Sequence, residues 1–311
     1  MPEVDGDCLR LEHLTRVMAK SRHSLRRHSR RSSPDQHFVG AARVRLAFRP
    51  MSSFSDHIRW FTEESSRFAS LVAGLSSDDL DKPVPGCPEW DVAGLVAHLG
   101  GVYLWVDEIL ATTEPAGEPP APHRTETVEW FGTALSTLRA RLETIDPATL
   151  DAPTWNWSGR NKVVRFWPRR MAHETAVHRL DLDDALGIES HPIPFALDTL
   201  AEFLDDLAPR WMGRRNPLPA ADLHLHCTGA GFGAGVGAVS AADFAGLGEW
   251  HLFAGADGSY VATHEHAKAA AALSGSATDL VRAIHRRPHA QVETFGDAAV
   301  VDAWVDALTF S

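Results

Sequence analysis

The strongest constraint on the fold is the spacing of apolar residues between residue 51 and about residue 211. Apolar side chains recur there at steps of three and four, which places them on one face of an α-helix. Five such stripes follow one another, and the segments between them are rich in proline. Each stripe is narrow, as it is in helices that pack side by side. The spacing therefore predicts an antiparallel helical bundle over residues 51–211.

Two of these helices carry clear signals at their ends. Asp91 precedes the second apolar stripe and is suited to cap a helix that follows it. Pro168 suits the first turn of the fourth helix, because its missing N–H would have no partner there in any case, and Gly187 suits its end. We therefore expect one helix to begin after Asp91 and another to run from about Pro168 to Gly187.

The apolar pattern changes to a period of two after residue 211, which is typical of strands. Asp257 and Gly258 form a hairpin signal between two such segments. Residues 212–311 are therefore predicted to form a small α+β domain. The elements expected there are strands at 223–227, 250–253 and 291–295 and helices at 280–284 and 298–308.

Charge divides the chain into two unlike parts. Residues 1–50 carry a net charge of +6, whereas the rest carries −17 and all ten tryptophans. The stretch from Lys20 to Pro34 has too few apolar residues to fold alone, so residues 1–50 are expected to be a basic disordered extension. Binding to nucleic acid or an anionic surface, and targeting, are alternatives for this extension. The acidic remainder would repel phosphate, so no nucleic-acid partner is expected for the folded part.

The chain contains no run of apolar residues that approaches the roughly 20 needed to cross a bilayer. No membrane association is therefore expected. Three cysteines are too few for a disulfide framework or a cysteine-based zinc site. Both observations favour a cytoplasmic protein.

The fourth predicted helix departs from the apolar pattern. Its inward seam, continued at steps of three and four, holds Glu174, His178 and Asp181. Buried charge is costly unless it is paired or bound to a metal. One interpretation is that these three side chains face water and pair with Arg170 and Arg179. The other is that they form a buried polar site.

His98 favours the second interpretation, because it lies in the middle of the second predicted helix at the edge of its apolar stripe. Two neighbouring helices would then supply His98, Glu174 and His178. Two imidazoles and a carboxylate suit a divalent ion such as Zn²⁺ and leave at least one coordination position open. Asp181 would hold a ligand imidazole by its other nitrogen.

Two motifs carry a resemblance to a known family. They are Trp-Asp-Val-x-x-Leu-Val-Ala-His-Leu, from residue 90, and Arg-Arg-Met-Ala-His-Glu-Thr-Ala-Val-His-Arg-Leu-Asp, from residue 169. Together they resemble the mycothiol-dependent maleylpyruvate isomerase family, over roughly residues 51–311. The resemblance implies a DinB-like metal-binding bundle followed by a small domain related to sterol-carrier folds.

The family's metal ligands correspond here to His98, Glu174 and His178. His173 is adjacent to Glu174 but points about 100° away around the helix, so it is not expected to be a ligand. The resemblance also implies mycothiol as a thiol cosubstrate. An arginine after a leucine-rich helix would help to hold that thiol. Arg287 is the nearest match and Arg286 an alternative, and the Trp-Gly pair usual before this arginine is absent.

The function implied by this resemblance is that of a mycothiol-dependent transferase or isomerase. A metal-bound thiolate would attack a small electrophilic substrate, with Asp181 and Arg287 as the candidate catalytic residues. A non-catalytic protein that binds a ligand and uses metal to organise its core is one alternative. A hydrolase with metal-activated water is another, in which Asp181 would be the base.

Two further motifs are weaker. Glycine occupies every second position of residues 229–237, but the spacing does not match a dinucleotide fingerprint, so a flexible loop is expected. His224 and His226 would share one strand face, as would His264 and His266, if both segments are strands. Such pairs can bind metal, but no partner carboxylate is visible in the sequence, and surface histidines are the favoured interpretation.

Overall fold

The computed structural model describes residues 52–117, 119, 121–214, 216–228 and 248–309. A helical bundle comes first in the chain, and a small mixed sheet with two helices follows it, which confirms the predicted fold class. The helices of the bundle are α1 (Phe54–Val72), α2 (Ser77–Leu80), α3 (Val92–Thr112), α4 (Thr127–Glu143), α5 (Phe166–Leu186) and α6 (Ala196–Ala201). The second part holds β1 (Leu223–Cys227), β2 (Glu249–Ala254), β3 (Tyr260–Thr263), β4 (Ala271–Gly275), α7 (Ala277–Ile284), β5 (Val292–Gly296) and α8 (Ala298–Leu308).

The predicted helix signals act where they were expected. The Asp91 carboxylate accepts a hydrogen bond from the Gly94 N–H at 2.7 Å and so caps α3. Gly187 ends α5 with a φ of 67°, a left-handed conformation that glycine adopts without a steric penalty. Helix α5 begins at Phe166, two residues before the predicted start at Pro168.

Helix α5 lies at the centre of the bundle. It packs most extensively against α1 and also contacts α3, which in turn packs against α4. Sixteen of its 21 residues are buried, so the expectation of a narrow apolar stripe is wrong for this helix. Because α5 is enclosed on nearly all sides, its polar residues must find partners inside the protein.

The fifth predicted stripe is buried as expected, but its backbone is not one regular helix. After α6 the chain continues as a π-helix over Glu202–Leu207 and a 3₁₀ turn over Ala208–Arg210. A π-helix within a helical segment is uncommon and often lies at a functional site. It turns Glu202, Phe203 and Leu207 toward α5 and the pocket described below.

Helix α3 corrects the expectation that no segment could cross a membrane. Among the described residues it is the one helix that is long and apolar enough by length and composition. However, 72% of its apolar window is buried inside the protein. Its apolar surface is therefore in contact with the bundle core.

The sheet has the strand order β3-β2-β1-β4-β5, in which β1 and β4 are parallel and the other pairs antiparallel. The predicted hairpin around Asp257 and Gly258 joins β2 to β3, and Gly258 has a φ of 75°. Helices α7 and α8 contact β1 and β4. Strand β4, Ala-Ala-Leu-Ser-Gly, was not predicted, because it lacks the alternation of a half-exposed strand.

Two predictions concern residues that the structure does not describe, namely the basic extension at 1–50 and the glycine-rich loop at 229–237. The domain boundary near residue 212 stays a prediction. The last helical turn ends at Arg210 and the first strand begins at Leu223.

Candidate metal centre and adjoining pocket

Helices α3 and α5 bring His98, Glu174 and His178 together inside the bundle. The Glu174 Oε1 atom lies 3.4 Å from His98 Nε2 and 3.3 Å from His178 Nε2. One donor atom from each residue lies within 4.8 Å of the others. All three side chains are buried, so the alternative in which they face water is wrong. We refer to these three residues as the helical cluster.

The second oxygen of Glu174 is held by Arg170, one turn earlier on α5. The guanidinium of Arg170 forms an ion pair with Glu174 Oε2 and a second one with Glu202 at 2.6 Å. Glu174 therefore presents Oε1 to the two imidazoles while Oε2 is occupied. Arg170 was expected only as the partner of an exposed Glu174. Its role inside the site depends on Glu202, which sequence spacing does not connect to α5.

His178 is oriented by a second chain of contacts. Its Nδ1 atom lies 2.8 Å from Asp181 Oδ2, while Nε2 faces Glu174. Asp181 is fully buried and receives two hydrogen bonds from Arg287, at 2.8 and 2.9 Å. A Cβ atom on Gly86 would lie 2.7 Å from Asp181 Oδ1, so the absence of a side chain there leaves room for this pair.

Trp90 covers the imidazoles of the helical cluster. Its ring centroid lies 4.5 Å from that of His98 and 5.9 Å from that of His178. The two imidazoles meet edge to face at 5.0 Å. Trp90 precedes the cap residue of α3, and its role could not be inferred from the helical spacing. This cover limits solvent access to the cluster from one side.

The surroundings favour the metal-binding protonation state of His98 and Glu174, whereas those of His178 favour its protonated form. Burial lowers the pKa of His98, which favours the neutral imidazole. Burial would raise the pKa of Glu174, but the charge of Arg170 holds it well below its usual range. Burial would lower the pKa of His178, and its bonds to Asp181 and Glu174 raise it overall. A neutral imidazole and a carboxylate are the ligand forms that bind a divalent ion, which displaces a proton from such sites.

Asp181 stays ionised for a related reason. Burial would raise the pKa of its carboxyl, but Arg287 lowers it to about 2. Asp181 is therefore an anion that is already paired on two sides, with His178 and Arg287. It is placed to orient an imidazole rather than to accept a proton from water.

A pocket of about 260 Å³ opens beside the helical cluster. It lies between the helical bundle and the elements around the sheet, and its walls are mostly apolar but include Arg170, Arg286 and Arg287. Glu174 and His178 form part of the wall, so a molecule in the pocket would reach the cluster. The other lining residues are Pro85, Gly86, Pro88, Trp157, Arg170, Val177, Phe203, Leu207, Trp211, Ile284, His285, Arg286, Arg287, Leu308 and Thr309.

The remaining predicted residues, Arg286, His173 and Arg179, lie in three different places. Arg286 lines the same pocket, has a φ of 53°, and forms an ion pair with Asp306. His173 lies apart from the helical cluster and contacts Asp198 and Glu202 at 3.1 and 2.8 Å. Arg179, the other expected surface partner, is itself buried and pairs with Glu64.

The loop at residues 151–165 and the first turn of α5 carry several tryptophans, most of which pack against the bundle. Trp155 and Trp167 both pack edge to face on Trp105 of α3, at 5.8 and 5.5 Å. The Trp167 indole N–H donates to the Trp155 carbonyl at 3.1 Å. Trp157 is the loop tryptophan that lines the pocket. The loop therefore closes one end of the bundle and supplies one aromatic wall of the pocket.

The fold and the site together define a helical bundle with a His/His/Glu cluster, joined to a small α+β domain. Residues 61–183 match the model of the mycothiol maleylpyruvate isomerase N-terminal domain. No curated protein matches the chain. Residues 61–183 include both motifs of the helical cluster. Both motifs of the helical cluster therefore lie within the part of the chain that resembles the mycothiol maleylpyruvate isomerase N-terminal domain family.

Two solved structures align with this chain. A crystal structure of the mycothiol-dependent maleylpyruvate isomerase aligns with a TM-score of 0.51 and 12% identity, over 78% of this chain and 93% of its own. A crystal structure of a mutant of that enzyme aligns with a TM-score of 0.47 and 11% identity, over 74% and 88%. At 12% identity the first alignment shows a common fold.

Proposed function

We propose that this protein is a divalent-metal-dependent enzyme that uses mycothiol to act on a small electrophilic substrate, as an isomerase or an S-transferase. The observation that carries the proposal is the helical cluster at the wall of the pocket. His98, Glu174 and His178 would hold the ion, with Zn²⁺ favoured by the nitrogen and oxygen donors. The match of residues 61–183 to the mycothiol maleylpyruvate isomerase N-terminal domain supports the thiol as the expected cosubstrate.

A bound divalent ion would lower the pKa of a coordinating thiol, so that a thiolate exists at neutral pH. The residues of this chain would orient the metal ligands and exclude water. Arg170 keeps Glu174 ionised and turned toward the imidazoles. Asp181 fixes the ring of His178 through Nδ1, which leaves Nε2 for the ion. Trp90 shields the imidazoles, and the apolar pocket wall would exclude bulk water.

The reaction at the substrate follows from the nucleophile. The thiolate sulfur would form a bond to an electrophilic carbon of the substrate. In a transferase this S–C bond remains in the product, and the electron pair displaced from the double bond takes up a proton to complete the addition. In an isomerase, addition to a cis double bond would permit rotation, and loss of the thiolate would then restore the double bond in the trans form. The protein needs no nucleophile of its own in either case.

Arg287 and Arg286 are the proposed contacts for the thiol cosubstrate, because both line the pocket beside the cluster. Arg287 donates two hydrogen bonds to Asp181. We therefore propose that it positions Asp181 as well as binding the thiol. Arg286 is more accessible and would meet a polar ligand at the rim. The hydrolase alternative is weakened, because its proposed base, Asp181, is buried and paired.

The test measures bound metal and turnover in the full chain. We expect about one equivalent of Zn²⁺ in the helical cluster, lost in His178→Ala and in Glu174→Ala. Turnover of an electrophile panel that includes maleylpyruvate should require mycothiol. The exposed histidine variant His123→Ala is the matched control and should retain both properties. His98→Gln repeats the test with a side chain of similar size.

Three results would contradict the proposal. Metal content unchanged in both His178→Ala and Glu174→Ala would remove the metal assignment. Turnover that persists without any thiol would favour the hydrolase. Metal lost from the variants of a protein that is inactive with every electrophile and thiol would favour a non-catalytic metal-organised protein.

A further inference from the structure

A second group of histidines lies on the outer face of the sheet. Leu223 and Leu225 of β1 are fully buried in the core, so the alternate residues His224 and His226 share the opposite face. Glu249 of β2 is paired with His226 in the antiparallel register. The carboxylate that was not apparent in the sequence is therefore supplied by a neighbouring strand.

The carboxylate of Glu249 contacts three imidazoles. Glu249 Oε2 lies 2.5 Å from His224 Nε2, and Oε1 lies 2.7 Å from His226 Nδ1. The third imidazole, that of His266, places Nδ1 at 3.3 Å from the same Oε1 atom. The rings of His224 and His266 meet edge to face at 4.8 Å.

His266 reaches this face in a way that the sequence pattern did not indicate. Strand β3 ends at Thr263, so the expectation that His264 and His266 share a strand face is wrong. His264 instead contacts Asp205 of the helical part at 2.9 Å. His266 lies beyond the strand and turns to Glu249, which brings a third segment of the chain to the β1–β2 pair.

We propose that His224, Glu249 and His266 form a second divalent-metal site, for Zn²⁺ or an ion of similar preference. One donor atom from each residue lies within 4.8 Å of the others. Ligands at about 2.0–2.1 Å in a tetrahedral zinc site lie closer together than this, so a modest rotation is required. His266, with 76% of its side chain exposed, is free to make that rotation. We refer to these three residues as the sheet cluster.

The surroundings of the sheet cluster suit a metal. His224 is held in place by burial, and burial lowers its pKa, which favours the neutral imidazole. Glu249 keeps a pKa below its usual range, since its bonds to histidines outweigh its burial. His226 shares the carboxylate and lies beside the open position. The bound ion would fasten the segment after β3 to β1 and β2.

This inference does not depend on the proposed function, because the sheet cluster and the helical cluster share no residue. The experiment counts Zn²⁺ per full-length chain by elemental analysis after dialysis against dilute Zn²⁺. We expect two equivalents in the unaltered protein. His266→Ala and Glu249→Gln should each lose one equivalent, while His178→Ala should lose the other. His123→Ala, an exposed histidine of the helical part, should lose none.

The same measurement distinguishes the two proposals if one fails. A protein that binds one equivalent, lost in His266→Ala and kept in His178→Ala, would support the sheet site and contradict the helical one. A second equivalent that survives in both His266→Ala and Glu249→Gln would overturn the sheet site. So would an unaltered protein whose single equivalent is lost only in His178→Ala. His266 is largely exposed, so its variant is expected to fold, and circular dichroism checks this.

Discussion

The helical cluster and the sheet cluster offer the same donor set, two imidazoles and one glutamate, in different surroundings. In the helical cluster every ligand is buried and supported by further charged residues, namely Arg170 for Glu174 and Asp181 for His178. In the sheet cluster Glu249 is supported only by the histidines named above, and His266 is exposed. Both clusters share the donor chemistry, and the helical cluster adds burial of every ligand, charged supporting residues and the adjoining pocket.

This difference explains why we assign chemistry to one cluster and attachment to the other. A reactive centre gains from ligands held in place before the substrate arrives and from exclusion of water. The helical cluster has both, together with a pocket of about 260 Å³. An ion at the sheet cluster would instead join three segments of the chain. The following predictions test how far the two clusters differ.

The largest expected effect is a loss of stability when Asp181 loses its arginine partner. Arg287→Gln removes the charge that pairs with a fully buried carboxylate, and breaking a buried pair costs about 3–5 kcal/mol. We expect a loss of this order in the free energy of unfolding, measured by urea denaturation without added metal. The neighbouring Arg286→Gln is the control, since it breaks a partly exposed pair and should cost less than about 1 kcal/mol. Equal effects of the two substitutions would contradict the assigned role of Arg287.

Substitution of the glutamate should cost more stability in the helical cluster than in the sheet cluster. Glu174→Gln leaves the buried Arg170 with Glu202 alone, and we expect a loss of about 2 kcal/mol in the free energy of unfolding. Glu249→Gln changes a carboxylate that is bonded only to imidazoles at a partly open face, and should cost less than about 1 kcal/mol. Urea midpoints compared at pH 7 after chelation measure both. A larger cost for Glu249→Gln would reverse the ranking of the two clusters.

Acidification should affect the support of the helical cluster. Burial would raise the pKa of Glu202, but His173 and Arg170 lower it to about 2 in the folded protein, from an ordinary value of 4.5. A lowered pKa in the folded state stabilises the protein above pH 4.5, and this contribution is lost as the pH falls from 4.5 toward 2. Glu202→Gln should therefore lower stability at pH 6 and flatten its decline below pH 4.5. Thermal melts across this range measure the slope, and an unchanged slope would contradict the prediction.

The smallest effect is expected for His266→Ala without metal. Because this side chain is largely exposed, the free energy of unfolding should change by less than about 0.5 kcal/mol. With Zn²⁺ added, the unaltered protein should gain melting temperature through ligand linkage, and the variant should lose part of that gain. The same Zn²⁺-dependent gain in both proteins would mean that no ion at the sheet cluster contributes to stability.

Sequence spacing was sufficient to predict the two helices that carry the helical cluster. Asp91 and Gly187 set one end each of α3 and α5, because capping and left-handed turns depend on a few adjacent residues. The steps of three and four then placed Glu174 and His178 on one face of α5. Their approach to His98 requires α3 and α5 to pack together. Spacing and the family resemblance could offer this contact only as a hypothesis, whereas the structure gives the distances between the side chains.

The contacts that hold Glu174 and His178 in place could not be predicted from sequence spacing. Glu202 contacts Arg170 from the π-helix that follows α6, and Arg287, which follows α7, contacts Asp181 across a separation of 106 positions along the chain. Gly86 matters only because Asp181 lies against it. Long-range contacts of this kind depend on how elements dock, which no local period encodes.

The sequence by itself determined the class of fold and offered His98, Glu174 and His178 as candidate ligands, since helix periodicity and side-chain chemistry are local properties. It offered His224 and His226 as a pair on one strand face, because strand alternation is also local. Only the tertiary structure decided that Glu249 and His266 complete that pair. The physical reason is that strand register and the path of the chain after β3 are fixed by the packing of the whole sheet against its helices.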